Sequence, residues 1–230
     1  MLGIIGAMDE EVAQLKEHMK AEEIINKAGM EFHRGTLNGR QAVVVKSGIG
    51  KVNAAVCTQI LVDCFQVTAV VNTGIAGSLK NEINIGDIVL SKDALHHDMD
   101  STGFGYPPGQ IPRMDVLAFE ADEKLIELAK NCCDSVNPDI HSFVGRVVSG
   151  DQFVSDKNKK DWLKSQFDGF CTEMEGAAIA QTCYLNHIPF LIIRAISDKA
   201  DDSAQVDYAE FEAKAITHSV NLLLELAARC

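Results

Sequence analysis

Short apolar runs rich in β-branched residues recur along this chain, and stretches with helical periodicity separate most of them. That alternation constrains the fold more than any single motif. Strands interleaved with helices build a mostly parallel or mixed sheet covered on both faces, a three-layer α/β/α arrangement. Strands are expected at residues 2–6, 31–37, 41–47, 67–73, 87–90, 143–148, 170–174 and 190–196. Helices are expected at 8–19, 53–65, 121–132, 157–166, 176–186 and 208–228. Asn38-Gly39 between two strand candidates is a type I′ hairpin signal and adds an antiparallel element. Residues 100–114 carry Gly103, Gly105, Pro107, Pro108, Gly109 and Pro112. They read as a loop or lid inside one domain, because apolar structure resumes on both sides. The 230 residues are read as a single domain without internal repeats.

Composition narrows the partners. Asp plus Glu outnumber Lys plus Arg by 33 to 21, a net charge of −12. That sign disfavours phosphate backbones and anionic lipid, so neither nucleic acid nor a membrane is expected as partner. A small, nearly neutral ligand is compatible with it. No run reaches the length of a transmembrane helix, and no secretory signal pattern is read. The seven cysteines are scattered without a CxxC pair, which suits free thiols in a reducing, cytoplasmic compartment.

Two motifs fail on spacing. Gly48-Ile49-Gly50-Lys51 suggests a phosphate loop, but Val45 stands where the first glycine belongs and Val52 follows the lysine. Gly3-Ile4-Ile5-Gly6 lacks the dinucleotide fingerprint. His96-His97-Asp98 with Asp100 is read as a polar strand end rather than a metal site.

In open α/β sheets, ligands sit beyond the carboxyl ends of the strands. Four segments fall there: Met8 to Glu11, Thr73 to Ser78, Glu173 to Glu175, and Arg194 to Asp198. Three of them set carboxylates beside apolar runs, where charge is costly unless paired. Each has two readings. Asp9, Glu10 and Glu11 suit the macrodipole of a first helical turn, or one of them faces a site. Ser197-Asp198 is a turn start, or Asp198 is a half-buried acid able to donate a proton. Glu173 and Glu175 cap a helix, or one of them accepts bonds from a sugar diol.

Six strings in this order resemble the 5′-methylthioadenosine/S-adenosylhomocysteine nucleosidase family. They are Gly3-Ile4-Ile5-Gly6-Ala7-Met8-Asp9-Glu10-Glu11, Ser47-Gly48-Ile49-Gly50-Lys51-Val52, Asn72-Thr73-Gly74, Ser149-Gly150-Asp151, Glu173-Met174-Glu175 and Arg194-Ala195-Ile196-Ser197-Asp198. The resemblance spans essentially the whole chain. It implies a purine nucleoside phosphorylase-like fold, a homodimer, and hydrolysis of adenine thionucleosides in methionine salvage. It also implies roles. Asp198 protonates adenine at N7, with Ser197 orienting it. Glu11 activates the attacking water, which Arg194 helps to position. Glu175 holds the ribose hydroxyls and Met174 lies under the ribose. Phe153 stacks on adenine while the backbone of Val154 reads its edge. Ile49, Phe104 and Tyr208 shape the 5′-alkylthio pocket. Met8, Ile75 and Glu173 complete the substrate-binding set. No metal or organic cofactor is expected. One departure stands out: relatives often carry a serine after Asn-Thr-Gly that helps hold the water, and here Ile75 replaces it. Ser101 is expected to make the pocket wall more polar.

Three rival readings compete with this one. A phosphorylase of the same fold needs basic residues for phosphate, whereas the first loop is acidic and residues 72–78 contain no Arg or Lys. A nucleosidase for another 5′-substituted adenosine or a related purine nucleoside would share most of the site. A non-catalytic nucleoside-binding protein would need neither Asp198 nor Glu11.

Overall fold

The computed structural model describes residues 1–201 and 203–229. In chain order the elements are β1 (Leu2–Gly6), α1 (Asp9–His18), β2 (Lys20–Lys27), β3 (Met30–Leu37), β4 (Arg40–Lys46), α2 (Lys51–Phe65), β5 (Ala69–Ser78) and β6 (Ile88–His96). A 3₁₀ turn at Thr102–Phe104 interrupts the long loop. Then follow β7 (Phe119–Glu120), α3 (Glu123–Val136), β8 (Ser142–Ser149), α4 (Lys157–Phe167), β9 (Cys171–Glu173), α5 (Gly176–Asn186), β10 (Phe190–Asp198) and α6 (Ala204–Arg229).

One mixed sheet collects all the strands. β1 lies between β4 and β5, parallel to both, and β5 is parallel to β10 on its other side. β10 also pairs antiparallel with β6, β6 parallel with β8, β8 parallel with β9, and β9 returns antiparallel to β5. The path therefore closes on itself through β5, β10, β6, β8 and β9, and β1, β4, β3 and β2 extend from it as an open wing. Every residue of β10 is buried, as its continuous apolar run requires. Helices α2 and α5 pack together on one side, and α1, α3 and α6 pack together on the other. Helix α4 covers a smaller cluster of Leu79, Leu95, Val148, Val154, Leu163, Phe167 and Ala200. Among the described residues no helix is long and apolar enough to cross a membrane.

Asn38 and Gly39 both adopt positive φ, 47° and 87°, in the expected hairpin turn. The structure adds a strand that apolar patterning does not announce. β2 is almost wholly exposed and carries four charged residues, so it has no buried face to create a period-two signal. It pairs with β3 through Ala28-Gly29, which adopts the same pair of positive φ values, 50° and 75°, without the usual Asn or Asp. Gly35 permits this pairing: a Cβ there would lie 2.2 Å from the Lys20 carbonyl oxygen. β6 runs to His96 rather than ending at residue 90. The polar break at Asp93 is a cross-strand pair, since Arg146 of β8 donates to both its carboxylate oxygens at 2.7 and 2.8 Å.

Candidate active site

Four strand ends, those of β1, β5, β9 and β10, meet at one cavity of about 460 Å³. It is lined by Met8, Glu11, Ile49, Ile75, Phe153, Glu173, Met174, Glu175, Arg194, Ser197, Asp198 and Tyr208, together with Ala7, Ala76, Gly77 and Thr172.

Three acids in the first helical turn have different fates. Glu10 is exposed, and exposed Asp9 accepts from Lys46 Nζ at 2.7 Å. Glu11, one position further, folds back over the end of β1 and is buried. Its Oε2 accepts from the backbone N–H groups of Ala7 at 2.6 Å and Met8 at 3.0 Å. Its Oε1 accepts from Ile75 N–H at 3.2 Å. Burial pushes the Glu11 carboxyl above its ordinary range, while the Arg194 charge and these three donors oppose the shift.

Arg194 is 1% exposed and organises the centre. Its Nη2 donates to Asn72 Oδ1 at 2.5 Å and to the Glu173 carboxylate, and lies 3.5 Å from Glu175 Oε2. Its Nη1 donates to the Ile75 carbonyl at 3.3 Å. Gly74 is required between these groups: a Cβ there would lie 2.3 Å from Arg194 Nη1 and 2.4 Å from Glu11 Oε1. A buried charge of this kind is tolerated only while its partners stay, and losing one costs roughly 3–5 kcal/mol.

Glu173 and Glu175 divide the two readings of their string between them. Glu173 caps α5: its carboxylate accepts from Glu175 N–H at 3.0 Å and from Gly176 N–H at 2.8 and 3.0 Å. It also takes the Ser149 hydroxyl and Arg194. Both Glu173 oxygens are thus engaged within the protein, while the residue also lines the cavity. Glu175 uses Oε1 for Gly50 N–H at 2.8 Å and keeps Oε2 only loosely engaged. Burial pushes its carboxyl up to about 7, with Arg194 resisting and Glu173 reinforcing the shift. The glycine string that failed as a phosphate loop thus turns an amide toward a carboxylate. Its Lys51 is held by both oxygens of Asp98 at 2.7 and 2.8 Å.

Asp198 closes β10. Ser197 Oγ donates to its Oδ2 at 2.8 Å and Ala200 N–H to its Oδ1 at 2.7 Å, so the carboxyl plane is fixed. Burial raises its pKa, against these two donors. Phe153 and Tyr208 meet edge to face, with ring centroids 6.0 Å apart. The Tyr208 hydroxyl donates to Glu212 Oε1 at 2.9 Å and lies 3.5 Å from Met8 Sδ.

Two expected contributors stand outside the lining. Phe104 is 87% exposed on the long loop, and Ser101 beside it is half-buried away from the cavity. The Val154 side chain is buried in the smaller cluster under α4, which leaves only its backbone for a ligand. Conversely, Asn72, Gly50, Gly77 and Ser149 shape the site although the sequence does not mark them individually. Each lies within or beside the motif strings, and its role depends on contacts far apart in sequence.

The sequence profile of the phosphorylase superfamily matches residues 1–228. A 5′-methylthioadenosine/S-adenosylhomocysteine nucleosidase of Staphylococcus carnosus is 41% identical over 227 residues, covering 98% of each chain. This chain belongs to that nucleosidase family. The family's nucleosidase from Neisseria meningitidis, solved with methylthio-immucillin-A, superposes with a TM-score of 0.95 at 37% identity and covers 100% of this chain and 99% of its own. A futalosine hydrolase from Helicobacter pylori is also similar, at TM-score 0.94 and 33% identity, covering 100% of this chain and 97% of its own. Both solved structures superpose on this chain over its whole length.

Proposed function

We propose that this enzyme hydrolyses the N-glycosidic bond of 5′-methylthioadenosine and S-adenosylhomocysteine, and also 5′-deoxyadenosine, releasing adenine and the corresponding ribose in methionine salvage. One observation carries the reading. A single cavity is lined by a raised-pKa acid, Asp198, and by two further buried carboxylates, Glu11 and Glu175.

Glycosidic cleavage passes through an oxocarbenium-like state, so the departing base needs a proton and the sugar needs negative charge nearby. Asp198 supplies the proton to adenine N7, with Ser197 and the Ala200 amide holding its orientation. Glu175 accepts the ribose hydroxyls and Met174 supports the ring. Glu11 takes the proton of the attacking water and offsets the positive charge on the sugar. Phe153 stacks on the base, the Val154 backbone reads its edge, and Ile49, Met8 and Tyr208 receive the alkylthio group. Arg194 acts through Glu175 and the β5 carbonyl it binds. Where relatives use a serine hydroxyl, the Ile75 amide donates to Glu11 instead.

Water is favoured over phosphate because the cavity presents carboxylates, while the Nη donors of its buried cation are already committed. The test is incubation with 5′-methylthioadenosine with and without phosphate, identifying both products. Adenine and 5-methylthioribose at equal rates are expected. A sugar 1-phosphate formed only with phosphate would make the enzyme a phosphorylase, and no turnover would favour another nucleoside or a binding role.

The same reading includes a homodimer in the reducing cytoplasm. Val52 and Val56 on α2, Tyr184 and Leu185 on α5, and Phe104 are all exposed. A partner covering this face would receive Phe104 at its own cavity mouth. Light scattering is expected to give twice the chain mass; a stable, fully active monomer would refute it.

A further inference from the structure

The turn after the catalytic acid is held from outside the site. Ala200 donates its N–H to Asp198 from a left-handed backbone conformation, φ 52°, that a residue with a Cβ adopts only when its surroundings impose it. Those surroundings come from α4. Lys160 is buried, and its Nζ donates to the Lys199 carbonyl at 2.5 Å and to Asp201 Oδ2 at 3.1 Å. One ammonium thus grips the residues on both sides of Ala200. Leu163, one helical turn further along α4, packs in the same apolar cluster as Ala200. Asp201 in turn accepts from Ser203 N–H at 3.2 Å and Ser203 Oγ at 2.9 Å, at the start of the helix that carries Tyr208.

We infer that Lys160 is a positioning residue for the reaction: it locks the 199–201 turn so that the Ala200 amide fixes Asp198 for proton donation. This rests on the reading of Asp198 as the general acid. Holding a lysine largely out of solvent costs chain entropy and desolvation, which its two acceptors on the turn offset. Here both acceptors belong to the turn next to the acid. The neighbouring cation, Lys199, ties its own end of the turn to the Ile83 carbonyl at 2.5 Å and donates to neither acceptor that Lys160 holds.

The charged groups facing Asp198 are Asp201 on the turn and Asp207 on α6, and both raise its pKa. Loosening the turn withdraws the Ala200 donor, and removing the ammonium takes from Asp201 its ion-pair partner, leaving only the Ser203 donors. Both changes favour the protonated acid, so the alkaline limb of activity should move upward even as the acid loses its alignment.

The experiment compares Lys160→Met with wild type on 5′-methylthioadenosine, taking kcat, KM and the pH profile of kcat, with thermal melting as the check on folding. Lys160→Met should lower kcat by about tenfold or more, as expected for a misplaced catalytic group. KM should change less than about threefold, because base stacking and the Glu175 contacts stay intact. The alkaline limb should shift up, and Lys160→Arg should recover part of kcat. A folded Lys160→Met enzyme with wild-type kcat and an unmoved alkaline limb would overturn the inference while leaving the hydrolase reading intact. If Lys160→Met does not fold, Lys160→Gln, which keeps a neutral N–H donor group, is read by the same criteria. Wild-type protein that fails to release adenine would refute the parent reading, and this inference with it.

Discussion

Gly77→Ala tests whether the acid is packed as tightly as described. Gly77 sits on β5 in register with Asp198 of β10 on one side and Thr172 of β9 on the other. A Cβ added there would lie 2.7 Å from Asp198 Oδ1, 2.7 Å from Ala200 Cβ and 3.2 Å from Ala200 Cα. Comfortable carbon contacts begin near 3.5 Å, so the methyl must displace the acid and its turn by roughly 0.5–1 Å. The turn cannot simply retreat, because Lys160 and the Lys199–Ile83 bond hold its far side. A displacement of about 1 Å at a catalytic group costs roughly 100-fold in rate, or about 2.7 kcal/mol of barrier. Overpacking also destabilises the fold by about 1–3 kcal/mol, which in a chain of this size lowers Tm by roughly 2–12 °C. The assay is adenine release from 5′-methylthioadenosine, well below the variant's Tm, with kcat and KM determined separately. The expected result is a fall mainly in kcat. A folded variant with unchanged Tm and kcat within about threefold of wild type would refute the packing argument.

Two further substitutions probe other residues of the cavity lining. Glu175 has its folded pKa raised to about 7, against an ordinary value of 4.5. Between those values the folded protein holds a proton that the unfolded chain has released, so this group's contribution to stability falls as pH rises through the window. Glu175→Gln removes the titration and should stabilise the ligand-free protein relative to wild type more at pH 8 than at pH 5. The difference should be several degrees in Tm by scanning calorimetry, and equal gaps at both pH values would contradict the assignment. Ile75→Ser restores the serine common in relatives, but the bond to Glu11 comes from the main chain. It should keep kcat within about threefold while lowering Tm, since burying the isoleucine contributes about 2–3 kcal/mol. A tenfold loss of kcat would show that the side chain itself governs the water.

Much of the sheet is legible in the amino-acid sequence. The strands β1, β5 and β10 announce themselves as continuous apolar runs because both of their faces are buried. The Asn38-Gly39 turn is legible because its backbone conformation selects those residues. The functional strings lie at strand ends, where a sheet covered on both faces leaves room for a ligand. What escapes is what depends on pairing. β2 has no buried face, so only its partner β3 makes it a strand. Asp93 interrupts the pattern of β6 because its partner, Arg146, arrives on another strand. The closure of the sheet through β10, β5 and β9 is equally invisible, since one strand can pair with several neighbours. The carboxylates show the same division. Periodicity places Asp9, Glu10 and Glu11 together at a helix start, and Glu173 beside Glu175. Only the fold sends Asp9 to Lys46, Glu173 to the α5 cap, and Glu11 and Glu175 into the cavity. Local spacing determines which residues can reach a site; their environment is set by burial and by Arg194, which the tertiary structure alone brings there.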